Sequence, residues 1–90
     1  MKYIKTIRNN PFFSMKTKIL NSKEITKKIA LNELSYASIL HQDEINEYLD
    51  IISAINNDEI VYNITTNKGE YLLFIKGDSV VDTKEKYKKS

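Results

Sequence analysis

Residues Glu59 to Lys76, which read EIVYNITTNKGEYLLFIK, contain the pattern that decides the fold. Two runs rich in Ile, Val, Tyr, Thr, Leu and Phe have the composition of β-strands, the first ending at Thr66 and the second starting at Glu70. Between them, Gly69 tolerates the positive φ that a tight hairpin turn requires. The stretch therefore predicts a β-hairpin, which Gly77-Asp78 closes.

The segment before the hairpin has the periodicity of an amphipathic helix from Glu44 to Ile55. Apolar residues recur at the three-four spacing that forms one helix side, namely Ile45, Tyr48, Leu49, Ile52 and Ile55. Three acids line the other side: Glu44, Glu47 and Asp50. A solvated helix face is the simplest interpretation of these carboxylates, and the alternatives are a pair of carboxylates that act together or a cation site.

Further upstream, Ser22 to Leu40 reads SKEITKKIALNELSYASIL and has the features of a helix-turn-helix. One helix is expected from Lys23 to Ala30, and a second from Asn32 or Glu33 to about His41. Small Ala30, followed by apolar Leu31, suits the turn. Short polar side chains then lie on the outer side of the second helix, where they can reach base edges: Asn32, Glu33, Ser35, Ser38 and His41.

A helix-turn-helix followed by a hairpin resembles the winged-helix DNA-binding domains, and the resemblance covers Ser22 to about Gly77. It implies a small single α+β domain over residues 1–81, in which the second helix enters the major groove and the hairpin, or wing, contacts the backbone. The implied partner is double-stranded DNA, with phosphate contacts from Lys23, Lys27, Lys28 and Lys68. Base contacts fall to Asn32, Ser35, Ser38 and His41.

The charges are sorted along the chain. Met1 to Lys28 has eight basic residues against one acid, Ile29 to Glu59 has seven acids and no Lys or Arg, and Ile60 to Ser90 has six lysines and four acids. The net charge of +2 hides this separation. A basic segment beside an acidic one favours a charged partner.

The two ends of the chain are expected to be extended at the N-terminus and flexible at the C-terminus. Lys2 to Arg8 alternates polar and apolar residues and Phe12 to Leu20 is extended in character, with Pro11 between them. Residues 82–90 have the composition of a flexible, Lys-rich tail. Absent cysteines agree with a cytoplasmic location, and no apolar run is long enough to span a bilayer.

Catalysis is not expected. Cysteine is absent, His41 is the single histidine, and Gly69 and Gly77 are the only glycines, so neither a metal centre nor a phosphate-binding glycine loop is indicated. No serine combines with His41 and an acid at a recognisable catalytic spacing. No cofactor is expected, and His41 itself is interpreted as a capping or surface group more readily than as a ligand.

Two functions therefore compete. The first is a small DNA-binding regulator or plasmid or phage accessory factor. The second is a protein-binding inhibitor or adaptor from a mobile element, which docks its acidic helical face, with Glu44, Glu47 and Asp50, on a basic partner surface. The same opposite charges would also support self-association into a dimer.

Overall fold

The computed structural model describes residues 17–87, so the predicted extended segments Lys2 to Arg8 and Phe12 to Lys16 lie outside it. The elements are β1 (Ile19–Ile25), α1 (Lys27–Leu34), a 3₁₀ turn (Ala37–Ile39), α2 (Gln42–Asn56), β2 (Ile60–Thr66), β3 (Gly69–Lys76) and β4 (Ser79–Glu85). The four strands form one antiparallel sheet in the order β1-β2-β3-β4. Both helices are inserted between the first and the second strand.

The predicted hairpin is confirmed as β2 and β3, with Thr66 opposite Gly69 at its turn. The Thr66 hydroxyl donates to the Gly69 carbonyl oxygen at 2.9 Å and accepts from the Lys68 N–H at 3.1 Å. At the next turn Gly77 has φ 62°, a left-handed conformation that glycine adopts without strain. These two short turns allow β2, β3 and β4 to form a meander.

The sheet has two apolar faces because apolar residues occupy consecutive positions in β2 (IVY) and in β3 (YLLFI), so that they point to both sides. On the helix face, Val61, Leu72 and Phe74 form one buried cluster with Ala30 of α1 and with Ile51 and Ala54 of α2. On the second face, the side chains of Tyr62, Ile64, Leu73 and Ile75 form a separate buried cluster. Alternating residues of the same two strands therefore serve two cores.

The predicted amphipathic helix is confirmed as α2, and Tyr48, Ile52 and Ile55 of its predicted apolar stripe are partly buried against the core. Leu49 departs from that stripe. Ile51 and Ala54 are buried, whereas Leu49, placed on the apolar stripe by its spacing, is 51% exposed. Burial of small Ala54 brings the helix backbone close to the sheet. The N-terminus of α2 is capped by His41, whose Nδ1 accepts from the Asp43 N–H at 3.1 Å.

The winged-helix arrangement is wrong. Ser22 to Ile25 forms a strand that pairs with β2, so the first helix begins only at Lys27, after Thr26 accepts from the Ile29 N–H as its N-cap. The expected turn at Ala30-Leu31 lies inside α1. The hairpin is the centre of a sheet and not a projecting wing, because β1 and β4 pair on its two sides.

The expected second helix is also absent as a unit. Asn32 and Glu33 belong to the last turn of α1, Ser35 is its C-cap, and the 3₁₀ turn follows. Asp82 to Glu85, assigned above to the flexible tail, is the second half of β4. No helix within residues 17–87 has both the length and the apolar character needed to cross a membrane.

Candidate functional site

The lysines predicted to contact phosphates are distributed over the two ends of the sheet. Lys27 and Lys28 are exposed at the start of α1, which follows Ile25. Lys68 is exposed in the turn after Thr66, which pairs with Ile19 at the other end of β1. Because a seven-residue strand is about 20 Å long, these groups do not form one compact patch.

The residues predicted to contact bases do not share one helix face. Asn32, Ser35 and Ser38 are exposed, but they lie in the last turn of α1, at its C-cap and in the 3₁₀ turn. The Ser35 hydroxyl donates to the Asn32 carbonyl oxygen, which assigns it a capping role. Lys23 is exposed on β1, outside any helix. The geometry therefore provides no recognition helix.

His41 has structural contacts on both sides. Its ring stacks on Tyr87, with centroids 5.2 Å apart and an interplanar angle of 17°. Its Nδ1 lies 3.1 Å from the Asp43 N–H and 3.6 Å from the Asp43 carboxylate. An unprotonated Nδ1 is needed to accept from the N–H, whereas an ion pair needs a protonated one. We assign the capping role, since the first turn of a helix requires an acceptor for its free N–H groups.

A groove lies between α2 and β4. It consists of two compartments of about 150 Å³ and 210 Å³, which share Asp50, Phe74 and Lys84. Leu72 and Phe74 form its floor and are almost completely buried. Its walls carry carboxylates from α2, from the segment before β2 and from β4: Asp43, Glu47, Asp50, Glu59 and Asp82. We call this surface the acidic groove.

The strand register explains why β4 contributes to the acidic groove. Asp82 lies opposite Phe74, and Lys84 lies opposite Leu72. Directly opposed residues of antiparallel strands point to the same face, so both side chains share the helix face with the floor. Asp50 of α2 then faces them across the groove.

Lys84 occupies the boundary between the two compartments. Its Nζ lies 3.7 Å from the Asp50 carboxylate, 3.8 Å from the Asp82 carboxylate and 5.4 Å from the centroid of the Phe74 ring. All three charged side chains are about half exposed or more. Such exposed ion pairs contribute only about 0–1 kcal/mol each. The lysine ammonium is therefore held weakly, in a position that another cation could share.

Glu47 closes the end of the acidic groove nearest the C-terminal segment. Its Oε2 accepts from the Tyr87 N–H at 2.7 Å. Burial raises the pKa of this carboxyl above its usual value, and the Tyr87 hydrogen bond and the Lys86 charge oppose that increase. Burial, followed by the charges of Glu33, Glu47 and Glu44, likewise raises the pKa of Tyr48. Negative charge is therefore concentrated around α2.

The described residues are acidic as a whole. Residues 17–87 contain eight lysines and twelve acidic residues, a formal net charge of −4. The six remaining basic residues, with no acids, lie in residues 1–16 and 88–90, which accounts for the total of +2. A search of residues 17–87 finds no group of His, Asp and Glu side chains that could hold a metal ion.

Sequence reasoning identified the carboxylates of α2 but missed the groove that they border. The missing wall is β4, whose charged residues had been assigned to a tail. The available signal was the β-branched residues Val80, Val81 and Thr83, which favour a strand directly after the Gly77 turn.

The comparisons add no relative. No family model, no curated protein and no solved structure matches this chain.

Proposed function

We propose that this protein is a protein-binding module whose acidic groove receives basic side chains of a partner. The observation that supports the proposal is the placement of carboxylates on both walls, from α2 and from β4, around the single lysine Lys84. An inserted Lys or Arg side chain would lie between opposite carboxylates and replace the weak contacts of Lys84. Arg is the better fit, because its planar guanidinium can bridge two carboxylates.

The dimensions of the acidic groove favour side chains over a small-molecule ligand. Its compartments, at about 150 Å³ and 210 Å³, are smaller than the roughly 300–1,000 Å³ of typical ligand pockets. Leu72 and Phe74 are 1% and 4% exposed, so the floor offers little apolar area. Binding would therefore depend mainly on charge and would weaken as salt is added.

A peptide titration tests this proposal. The probe is a fluorescein-labelled dodecapeptide of alternating Arg and Ala, added at low and at moderate salt. We expect saturable binding, with the largest amide shifts in an NMR titration at Asp50, Phe74 and Lys84. Each exposed ion pair contributes up to about 1 kcal/mol, so Asp50→Asn/Asp82→Asn should weaken binding by up to about 30-fold.

Asp78→Asn is the matched control, since Asp78 is an exposed acid in the β3–β4 turn, outside the acidic groove. It removes one carboxylate and should change the affinity by less than about twofold, the effect of a distant screened charge. The proposal fails if the control loses as much affinity as the double variant, or if the shifts map elsewhere.

Duplex DNA is the competing partner, favoured by the basic residues outside the described range and by exposed Lys27 and Lys28. A gel shift with random duplex DNA at two salt concentrations separates the two hypotheses. Binding that is lost in Lys27→Glu/Lys28→Glu and retained in Asp50→Asn/Asp82→Asn would favour DNA. Such a result would count against the acidic groove as the functional surface.

A further inference from the structure

Exposed apolar side chains are concentrated in the helical layer of the protein. Within residues 17–87, six large apolar residues are more than half exposed. Four of the six belong to α1, α2 and the turn between them: Leu31 (51%), Tyr36 (53%), Ile39 (72%) and Leu49 (51%). Single exposed apolar residues are common on protein surfaces, whereas a contiguous group marks an interaction site. The relative positions of these four residues therefore decide what they do.

Leu31 and Leu49 lie on the sides of α1 and α2 that face each other. In the first turn of α1, the Lys27 Nζ donates to the Asn56 Oδ1 at the end of α2, at 3.1 Å, so the two helices are antiparallel neighbours. Leu31 follows Lys27 by four residues and Leu49 precedes Asn56 by seven, which places each leucine on the same side of its helix as the hydrogen-bonded residue. Because both leucines are half exposed, they lie on the solvent side of the helix pair.

The turn between the helices adds two more apolar side chains. The Ile39 N–H donates to the Tyr36 carbonyl oxygen at 3.0 Å, which closes the 3₁₀ turn. Side chains three residues apart in such a turn are eclipsed, so Tyr36 and Ile39 project on the same side of it. The turn joins the end of α1 to the start of α2 and therefore borders the helix pair at the end opposite Lys27. We call the surface of Leu31, Tyr36, Ile39 and Leu49 the apolar patch.

The apolar patch and the acidic groove lie on different sides of α2. Leu49 is on the side that faces α1, whereas Asp50, the next residue, lines the groove beside β4. Consecutive residues of a helix point about 100° apart, which accounts for this separation. Asp43, one helical side with Asp50, also lines the groove, and both carboxylates are exposed. A molecule bound on the apolar patch would therefore have carboxylates along the edge that lies over α2.

We propose that the apolar patch binds an amphipathic α-helix of a partner protein, with the apolar side of that helix on Leu31 and Leu49 and with basic residues along its edge nearest Asp43 and Asp50. The groove between two antiparallel helices is a surface on which a third helix packs, through apolar residues at the three-four spacing. The inference rests on the proposed function for the positive charge of the partner. The exposed apolar side chains are a separate observation.

Charge favours a basic partner over a second copy of the chain. Residues 29–59, which contain the apolar patch, have seven acids and no Lys or Arg. A symmetric dimer through the apolar patch would bring two such segments together, and their like charges would repel. A helix with basic residues along one edge is instead attracted to the same segment.

A pair of peptides tests the proposal on the full chain. The probe is a fluorescein-labelled peptide of about four helical turns, made of Leu and Lys with the leucines at the three-four spacing. The control peptide has the same composition in strict alternation, which gives a helix no apolar side. We expect the probe to bind at least about tenfold more tightly, because only its leucines can cover the apolar patch together. The methyl signals of Leu31, Ile39 and Leu49 should shift in an NMR titration.

Two double variants separate the apolar patch from general surface hydrophobicity. Leu31→Ser/Leu49→Ser should weaken binding of the helical peptide by about tenfold or more, since two half-exposed leucines lose the area that binding would bury. Leu20→Ser/Val81→Ser is the matched control, because it removes two apolar side chains of similar exposure from β1 and β4. It should change the affinity by less than about twofold, as surface substitutions away from a contact do.

Equal affinities for the two peptides, or equal losses in the two double variants, would overturn the proposal. It would also be overturned by a dimer in sedimentation, or by binding to phosphatidylcholine vesicles, that Leu31→Ser/Leu49→Ser abolishes, since the occupant would then be a second copy or lipid. The acidic groove is tested separately by the peptide of alternating Arg and Ala. Failure of that peptide to bind would count against the proposed function, whereas failure of the helical peptide alone would count against the apolar patch.

Discussion

Ile51→Ala is expected to destabilise the domain more than Leu49→Ala, although the two residues are only two positions apart on α2. Ile51 is 0% exposed in the cluster between α2 and the sheet, whereas Leu49 is 51% exposed. The spacing of apolar residues in the sequence predicts the opposite ranking, because it places Leu49 on the buried stripe. The pair of variants therefore tests how α2 is rotated on the sheet.

The magnitudes follow from burial. Truncation of a fully buried Ile leaves a cavity and costs about 2–5 kcal/mol. Full burial of a Leu side chain contributes about 1.5–3 kcal/mol, so truncation of the half-exposed Leu49 costs about half of that, roughly 0.8–1.5 kcal/mol. The high helix propensity of alanine offsets a few tenths of that loss. We expect a difference in the free energy of unfolding of about 1–4 kcal/mol.

Urea unfolding followed by circular dichroism measures this difference in both variants. If Ile51→Ala does not fold while Leu49→Ala does, the expected ranking is already met, and Ile51→Val, with an expected cost of about 0.5–1.5 kcal/mol, then gives a lower bound on the contribution of Ile51. Equal losses, or a larger loss for Leu49→Ala, would refute the rotation of α2. Such a result would mean that α2 is rotated differently on the sheet. Its side chains Asp43, Glu47 and Asp50 would then not line the acidic groove.

Two further predictions concern single side chains. Burial raises the pKa of the Glu47 carboxyl in the folded protein above the ordinary value of 4.5, so the folded state holds this proton more tightly than the unfolded state does. The contribution of Glu47 to the free energy of unfolding is therefore largest below pH 4.5 and is lost as pH rises through the folded-state pKa. Glu47→Gln keeps an acceptor for the Tyr87 N–H and should remove that decline from urea titrations between pH 4 and 7, whereas an unchanged pH profile would contradict the assignment. Thr26→Ala removes the acceptor for the Ile29 N–H and should cost about 1 kcal/mol, with Thr26→Ser retaining most of the stability; equal losses in the two variants would show that the cap contributes nothing.

The hairpin and α2 could be predicted because their signals are local. The apolar runs around Gly69 and the helical spacing before them need no information from distant residues. The rotation of α2 was harder to predict. Burial of Ile51 and Ala54 depends on packing against both α1 and the sheet, which a single apolar stripe does not describe.

The error at Ser22 to Ile25 has a non-local cause. The segment SKEI carries no strong local preference, and it becomes a strand by pairing with Val61 to Ile64 of β2. Because Ser22 to Ile25 is a strand, the first helix begins only at Lys27 and the predicted helix-turn-helix does not form. β4 was missed for a related reason, since the charged residues that suit an edge strand also resemble a solvated tail.

The pairing of β1 with β2 joins two strands that are synthesised at different times. Ile25 pairs with Val61 and Ile19 with Thr66, and both helices lie between them in the chain. At about 5–20 residues per second, Val61 is added roughly 2–7 s after Ile25. A nascent chain therefore makes β1 and α1 well before their sheet exists, whereas β2, β3 and β4 emerge in succession and pair with their immediate predecessors. β2 is the template on which the earlier part of the chain completes its folding.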